Sequence, residues 1–168
     1  MSRARLILAV AAVLALLFAG REAAVPDRDD SPGVGRVLRV VDGDTIHVRL
    51  GGRDETIRYI GVDTPESVKP RTPVQCFARR ASAFNKHLVA GERVRLVADA
   101  EARDRYGRRL AYVYRASDGL FVNAALVRRG YATTMTIPPN VAHAREFRRL
   151  AAGARRAGRG LWSACKAS

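Results

Sequence analysis

Alternation of apolar and polar positions predicts five short β-strands. Ile46, Val48 and Leu50 alternate with polar neighbours, as expected for a strand with one buried face. Asp42-Gly43 and Gly51-Gly52 are turn signals between the first three strands, which are therefore predicted to form a meander. The predicted strands are 35–41, 45–50, 56–62, 93–97 and 110–114.

Apolar residues spaced three or four positions apart predict three α-helices after the third strand. The predicted helices are 75–89, ended by Gly91; 122–129, ended by Gly130; and a third that starts at an Asn140 cap and runs to about Arg156. One helix thus follows the third strand and two follow the fifth. This order predicts a single α+β domain, mainly β: a five-stranded barrel of the oligonucleotide-binding (OB) type with three helices.

The N-terminus is typical of an export signal. Arg3 and Arg5 precede fourteen uncharged, mostly apolar residues, 6–19, which is short for a membrane-spanning helix. We predict a signal peptide or N-terminal membrane anchor at 1–20, a linker at 21–34, the domain at 35–164 and a C-terminal tail at 165–168. The protein is expected to be exported, as a secreted, periplasmic or cell-surface protein. Cys76 and Cys165 can then form a disulfide or remain reduced.

Composition adds a strong positive charge. The 168-residue chain has 30 Lys and Arg against 16 Asp and Glu, a formal net charge of +14. This charge favours a polyanionic partner, with nucleic acid first and an acidic membrane or cell-wall surface second. The alternative is an arginine-rich composition without a specific partner. Two distant cysteines and three scattered histidines do not indicate a zinc site.

Two acidic clusters stand out in this basic chain, at 42–45 and 63–66. Asp44 precedes the second strand and Asp63 follows the third, so the two carboxylates are expected side by side at one mouth of the barrel. Together with the Thr64 carbonyl they form an all-oxygen set suited to calcium or magnesium, completed by water and substrate. The alternative for Asp42-Gly43 alone is ordinary turn chemistry.

Arg58 is a cation inside an otherwise apolar strand, where a guanidinium group is costly unless it is paired. It either pairs with Asp63 or Glu66 and holds the sheet, or grips a phosphate bidentately. Glu66, fixed behind Pro65, either orients or deprotonates an attacking water or is a surface acid. Arg108 is a candidate second phosphate ligand, from a different loop.

Several dispersed motifs together resemble the staphylococcal-nuclease-like (thermonuclease) family over about residues 36–163. They are DGDT at 42–45, IRYIGVDTPE at 57–66, ASAF at 81–84, DRYGR at 104–108, LAYVY at 110–114 and NAALVR at 123–128. The resemblance implies a calcium-dependent phosphodiesterase on a five-stranded barrel with three helices. It implies roles for individual residues: calcium ligands Asp44, Asp63 and Thr64; phosphate clamp Arg58 and Arg108; Glu66 acting on the attacking water; and terminal-phosphate contacts Arg105 and Tyr106.

The same resemblance implies the reaction and the substrate. Water attacks phosphorus and the 5′-oxygen leaves, so DNA or RNA, preferably single-stranded, is cut with little sequence preference to 3′-phosphate ends. No obligate protein partner is expected, and the protein is expected to be a monomer. Lys69 and Arg71, in the basic loop 67–74, are expected to add substrate contacts.

The sequence departs from the family's nuclease prototype at a few positions. No tyrosine lies near Thr136, Arg109 replaces a usual glycine, and Cys76 and Cys165 are additional. One alternative function is a catalytically silent barrel that only binds nucleic acid or protein. A second alternative, an arginine-rich membrane-surface protein, leaves the carboxylate clusters unexplained.

Overall fold

A closed five-stranded barrel is the centre of the fold in the computed structural model, which describes residues 33–66 and 73–165. Its strands are β1 (Val34–Val40), β2 (Thr45–Leu50), β3 (Arg53–Tyr59), β5 (Arg93–Val97) and β6 (Arg109–Arg115). The order around the barrel is β1-β2-β3-β6-β5, and β1 pairs with β5 to close it. Only the β3–β6 pairing is parallel among these strand pairs. The predicted five-stranded, mainly β fold is confirmed.

The third predicted strand differs from the observed one at both ends. Arg53 and Asp54 belong to β3, so the preceding turn consists of the two positive-φ glycines Gly51 and Gly52 alone. At the other end the strand breaks at Gly61, where φ is +78° and a Cβ would lie 2.5 Å from the Phe147 ring. A side chain does not fit there, so the chain can pass close to this ring only with glycine.

After that break the chain forms a second, two-stranded sheet. The strands are β4 (Val62–Asp63) and β7 (Thr133–Thr134), with Asp63 opposite Thr133. Thr133 Oγ1 donates a hydrogen bond to the Asp63 carbonyl at 3.2 Å. This small sheet fixes the backbone of Asp63 beside the mouth of the barrel.

The three predicted helices are present, followed by a single-turn helix. They are α1 (Ala78–Val89), α2 (Val122–Arg128), α3 (Ala144–Arg156) and α4 (Leu161–Ala164). The prediction that Asn140 caps the third helix was wrong, because α3 begins four residues later. The buried Asn140 amide instead accepts a hydrogen bond from the Glu101 amide and donates one to the Glu101 carbonyl.

One apolar core connects the barrel to the helices. It includes fully buried Ile46, Val48, Ile57, Val94 and Val113 from the strands, and Leu126 and Phe147 from α2 and α3. The buried Asn123 adds polar links across it. Asn123 Oδ1 accepts from the Val113 amide and its Nδ2 donates to the Ile60 carbonyl, both at 2.9 Å. Asn123 thereby anchors α2 to β6 and to the end of the third strand.

Several predictions concern residues outside the described parts of the chain. These are the export signal, most of the linker and the loop residues Lys69 and Arg71. Gly33, predicted as linker, accepts a hydrogen bond from the Leu96 amide at 2.7 Å, and Val34 starts β1. No helix within 33–66 and 73–165 is long and apolar enough to cross a membrane. Cys76 and Cys165 form a disulfide with their Cα atoms 5.8 Å apart, which joins the approach to α1 to the end of α4.

Candidate active site

Arg58 lies at the centre of the two acidic clusters. Its side chain is only 10% exposed, and its Nη1 donates hydrogen bonds to the carbonyls of Tyr59 (3.0 Å) and Val62 (2.9 Å). Nη1 also lies 3.3 Å from Asp44 Oδ1, and Nη2 lies 3.1 Å from Asp63 Oδ1. The guanidinium group is therefore paired with both carboxylates and bonded to the chain where it leaves the barrel. These contacts offset the cost of burying its charge.

Asp44 is held by Thr64, the residue that follows β4. Its Oδ2 accepts hydrogen bonds from the Thr64 amide (2.8 Å) and the Thr64 hydroxyl (3.0 Å), and Oδ1 accepts from the Thr45 hydroxyl (3.2 Å). Thr45 pairs with Arg58 across β2 and β3, and this register puts Asp44 beside the arginine. A Cβ on Gly43 would lie 2.6 Å from Thr64 Oγ1. Glycine at this position thus allows the β1–β2 turn to reach Thr64.

Asp42 belongs to the predicted acidic cluster 42–45 but was not predicted as a site residue, because Asp42-Gly43 is also a common turn signal. Its Oδ1 accepts a hydrogen bond from the Asp44 amide at 3.0 Å. Burial, and then repulsion from Asp44, raise the pKa of Asp42 to about 6. Burial also raises the pKa of Asp63, and the Arg58 charge offsets part of that rise. Both pKa shifts arise first from burial of the carboxyl groups, and repulsion between the neighbouring carboxylates adds to them.

A small polar cavity of about 80 Å³ brings together most of the predicted site residues. Asp44, Asp63, Thr64, Arg58, Glu66 and Arg108 all line it, together with Asp42, Thr45 and Pro65. The backbone of Glu66 is fixed by Gln75: the Glu66 amide donates to Gln75 Oε1 (2.8 Å), and the Gln75 amide donates to the Glu66 carbonyl (3.0 Å). This pair of bonds holds the backbone of Glu66 against Gln75.

The donor set of this cavity fits a hard divalent cation. Four carboxylates face two guanidinium groups, and the candidate donors are oxygen atoms. Within the described residues, no three His, Cys, Asp or Glu side chains form a ready-made metal site.

Arg108 enters from the loop before β6. Its Nε donates to Asp104 Oδ2 at 2.7 Å and its amide donates to Asp104 Oδ1 at 3.0 Å, which fixes the loop and aims the guanidinium group. Tyr106, 68% exposed, is close to two cations: the guanidinium carbons of Arg105 and Arg108 are 4.8 and 5.3 Å from its ring centroid. Arg105 Nη2 also donates to the Tyr106 hydroxyl at 2.7 Å.

A larger cavity of about 440 Å³ adjoins the small one, and the two share Arg58 and Arg108. Its walls include Tyr106, Met135 and Ile137. Met135 and Ile137 flank Thr136, so apolar side chains form this part of the wall. Neither residue was predicted as part of the site, although Ile137 is an apolar residue beside two prolines and is 57% exposed.

Comparison with known proteins agrees with this geometry. The family described as "Staphylococcal nuclease homologue" matches residues 56–164, which includes Arg58, Asp63, Glu66 and Arg108 but begins after Asp44. A thermonuclease of Staphylococcus intermedius is 51% identical over 104 residues, 62% of this chain and 61% of that protein. A thermonuclease of Staphylococcus hyicus is 40% identical over 128 residues, 76% of this chain and 75% of that protein.

A third relative, endonuclease YncB of Bacillus subtilis, is 43% identical over 112 residues, 66% of this chain but only 52% of that protein. This chain thus spans from about half to three quarters of the length of these three relatives. The family match covers more than half of the present chain, from within β3 to the end of α4, so it includes all four helices but not β1 and β2. The chain belongs to the family of staphylococcal nuclease homologues.

Proposed function

We propose that this protein is an exported, calcium-dependent nuclease. It hydrolyses the bond between phosphorus and the 5′-oxygen in DNA and RNA, with little sequence preference, and leaves 3′-phosphate ends. The observation that carries this proposal is the 80 Å³ cavity in which acidic oxygens, two arginines and Glu66 meet. The names of the thermonuclease and endonuclease relatives support the same activity.

Phosphate binding is assigned to Arg58 and Arg108. They come from a strand and from a separate loop, and both line both cavities. A diester group at the junction of the cavities would meet two guanidinium groups, whose charge matches the charge that develops on phosphoryl oxygens in the transition state. Both arginines are already oriented by carboxylates, so little ordering is needed when substrate binds.

Calcium binding is assigned to Asp44, Asp63 and the Thr64 carbonyl. Thr64 holds Asp44 through its amide and hydroxyl, and it therefore keeps one carboxylate in place. Bound calcium would neutralise charge on the phosphate and polarise its oxygens. Because few ligands are supplied by the protein, affinity for the ion alone is expected to be weak, as suits extracellular calcium concentrations.

Glu66 is assigned to the attacking water. It lines the cavity with the two arginines, and the Gln75 hydrogen bonds and Pro65 fix its backbone. A carboxylate in this position accepts a hydrogen bond from water and either orients it or takes its proton as phosphorus is attacked. Tyr106, Met135 and Ile137 would contact an unstacked base in the larger cavity, which is the basis for proposing a preference for single strands.

Export rests on two observations. The N-terminal segment has the composition of a signal peptide or anchor. The Cys76–Cys165 disulfide is typical of oxidising compartments outside the cytosol. We further propose that the protein acts as a monomer without an obligate protein partner.

The decisive experiment is hydrolysis of single-stranded DNA in millimolar calcium, repeated with excess chelator and with magnesium. Activity is expected with calcium, to be abolished by chelator, and to fall about a thousandfold or more in Glu66→Gln and in Arg58→Ala. Arg53→Ala is the control, since this exposed arginine lies in the same strand as Arg58 but outside the site. If the purified protein binds DNA but does not cut it in calcium, the proposal is wrong and the protein is a catalytically silent binding module.

A further inference from the structure

A second basic surface lies outside the candidate active site. It is a groove of about 520 Å³, lined by Phe84, Arg128, Arg129, Tyr131, Arg159 and Gly160. We call it the arginine groove. It shares no lining residue with either cavity of the active site.

Two glycines bring the arginines of this groove together. Gly130 and Gly160 have φ of +74° and +58°, and a Cβ on either one would collide with the backbone of the other segment. The Leu161 amide donates to the Gly130 carbonyl at 2.8 Å. The end of α2 and the approach to α4 therefore touch through their backbones, and Arg159 Nη1 reaches the Arg128 carbonyl at 3.3 Å.

The charge of the groove is uncompensated. Arg128, Arg129 and Arg159 are exposed, and no acidic side chain lines the groove. In the described part of the chain, none of the three forms an ion pair with a carboxylate. Three neighbouring cations of this kind create a positive potential that attracts a polyanion.

The floor of the groove is aromatic. Phe84 and Tyr131 stack with their ring centroids 4.0 Å apart and their planes at 10°. A positive groove with aromatic rings is the combination that holds single-stranded nucleic acid, through its phosphates and bases. A lipid surface fits less well, because none of the large exposed apolar side chains described lines the groove; these are Leu38, Val74, Tyr106, Ile137 and Val141.

The groove is close to the active site along two routes. Thr133 pairs with Asp63, and Tyr131 lies two residues before Thr133. The Cα atoms of Tyr131 and Asp63 are therefore within about 13 Å of each other. Phe84 is followed by Asn85, whose Nδ2 donates to the Asp42 carbonyl at 3.0 Å and whose Oδ1 accepts from the Tyr59 hydroxyl. A strand that lies in the groove is therefore near the proposed site of cleavage.

We propose that the arginine groove is an accessory site for single-stranded nucleic acid. Arg128, Arg129 and Arg159 bind phosphates of the part of the strand that extends beyond the active site. The inference rests on the proposed function, in that the substrate is a polynucleotide. The Cys76–Cys165 disulfide ties the end of α4 to the start of α1, and so holds the two sides of the groove together.

The test compares two triple variants that lose the same number of charges. The groove variant carries Arg128→Gln, Arg129→Gln and Arg159→Gln. The control carries Arg53→Gln, Arg145→Gln and Arg148→Gln, at exposed arginines outside the groove and both cavities. Circular dichroism and thermal melting establish that both variants are folded.

Binding of a fluorescent oligothymidylate of about 20 nucleotides is then measured in chelator at several salt concentrations, so that no cleavage occurs. Each lost phosphate contact lowers the slope of log affinity against log salt by about 0.7 for a single strand, so the groove variant should lose about 2. Its dissociation constant at low salt should rise roughly tenfold or more, while the control changes its slope by less than about 1. Hydrolysis of an oligonucleotide of about three residues, which fills only the active site, should be unchanged in both variants.

Equal salt slopes for the two variants would overturn the inference. So would a groove variant that keeps oligonucleotide binding and loses only binding to phosphatidylserine vesicles, because the groove would then serve a lipid surface. If wild-type protein hydrolyses the short oligonucleotide and the slopes are equal, the groove inference fails and the proposed function stands. If the wild-type protein hydrolyses nothing in calcium, but the slope of log affinity against log salt falls in the groove variant and not in the control, the proposed function fails and the groove inference stands.

Discussion

Replacing Arg58 by leucine tests whether the arginine holds the acidic cluster together. Arg58 is only 8% exposed, and its guanidinium group is lost in this variant. The buried carboxylate of Asp44 is then left without its cation. Loss of one partner from a buried ion pair costs about 3–5 kcal/mol. The second partner, Asp63, is 52% exposed, so solvent screens part of that loss. We therefore expect the free energy of unfolding to fall by about 3 kcal/mol at neutral pH.

The size of this loss should depend on pH. Burial already raises the pKa of Asp63, and Arg58 opposes part of that rise, so the pKa rises further in Arg58→Leu. When the pKa of a carboxyl group is higher in the folded than in the unfolded protein, ionising that group destabilises the fold. This cost is complete at pH values above the folded-state pKa. The penalty disappears as pH falls to the unfolded value, near 3.8. The loss in Arg58→Leu should therefore be larger at about pH 7.5 than at about pH 5.

Urea unfolding followed by circular dichroism, in the absence of divalent cations, measures this difference. Arg53→Leu is the matched control, because Arg53 is exposed in the same strand, and its stability should stay within about 0.5 kcal/mol of wild type. A change below about 1 kcal/mol in Arg58→Leu at neutral pH would refute the reasoning. A loss that does not shrink on acidification would refute the account of its cause.

Three further changes test other parts of the structure. Cys76→Ser with Cys165→Ser opens a bridge between positions 89 residues apart, and should lower the free energy of unfolding in guanidinium by up to about 4–5 kcal/mol. Asp42→Asn removes a carboxyl whose pKa is about 6. It should stabilise the metal-free protein by about 1–3 kcal/mol above pH 6, and the gain should vanish near pH 4 in urea titrations at several pH values. Asn123→Ala removes two buried hydrogen bonds and should cost about 3 kcal/mol, measured as a lower urea midpoint, whereas an equal midpoint would contradict the bridging role.

Local sequence pattern was sufficient for most of the secondary structure. The alternation around Ile46 and Val48 and the spacing of Phe147 and Ala154 reflect the two-residue and 3.6-residue periods of strands and helices, which neighbouring residues alone determine. Strand ends also suggested that Asp44 and Asp63 meet. The roles proposed for Arg108 and Glu66 depended mainly on the family resemblance, because a single arginine or glutamate in a polar loop has no distinctive pattern.

Tertiary packing decided the remaining features. Asn140 bridges to Glu101 across 39 positions, and the break at Gly61 exists because the Phe147 ring occupies the space a side chain would need. The arginine groove likewise combines segments near 84, 130 and 160 whose closeness depends on two backbones meeting at glycines. No local period encodes such contacts. They arise only when distant segments pack against one core. The order of the strands and helices along the chain therefore predicted the barrel. Which charged side chains share a surface was determined only by the folded structure.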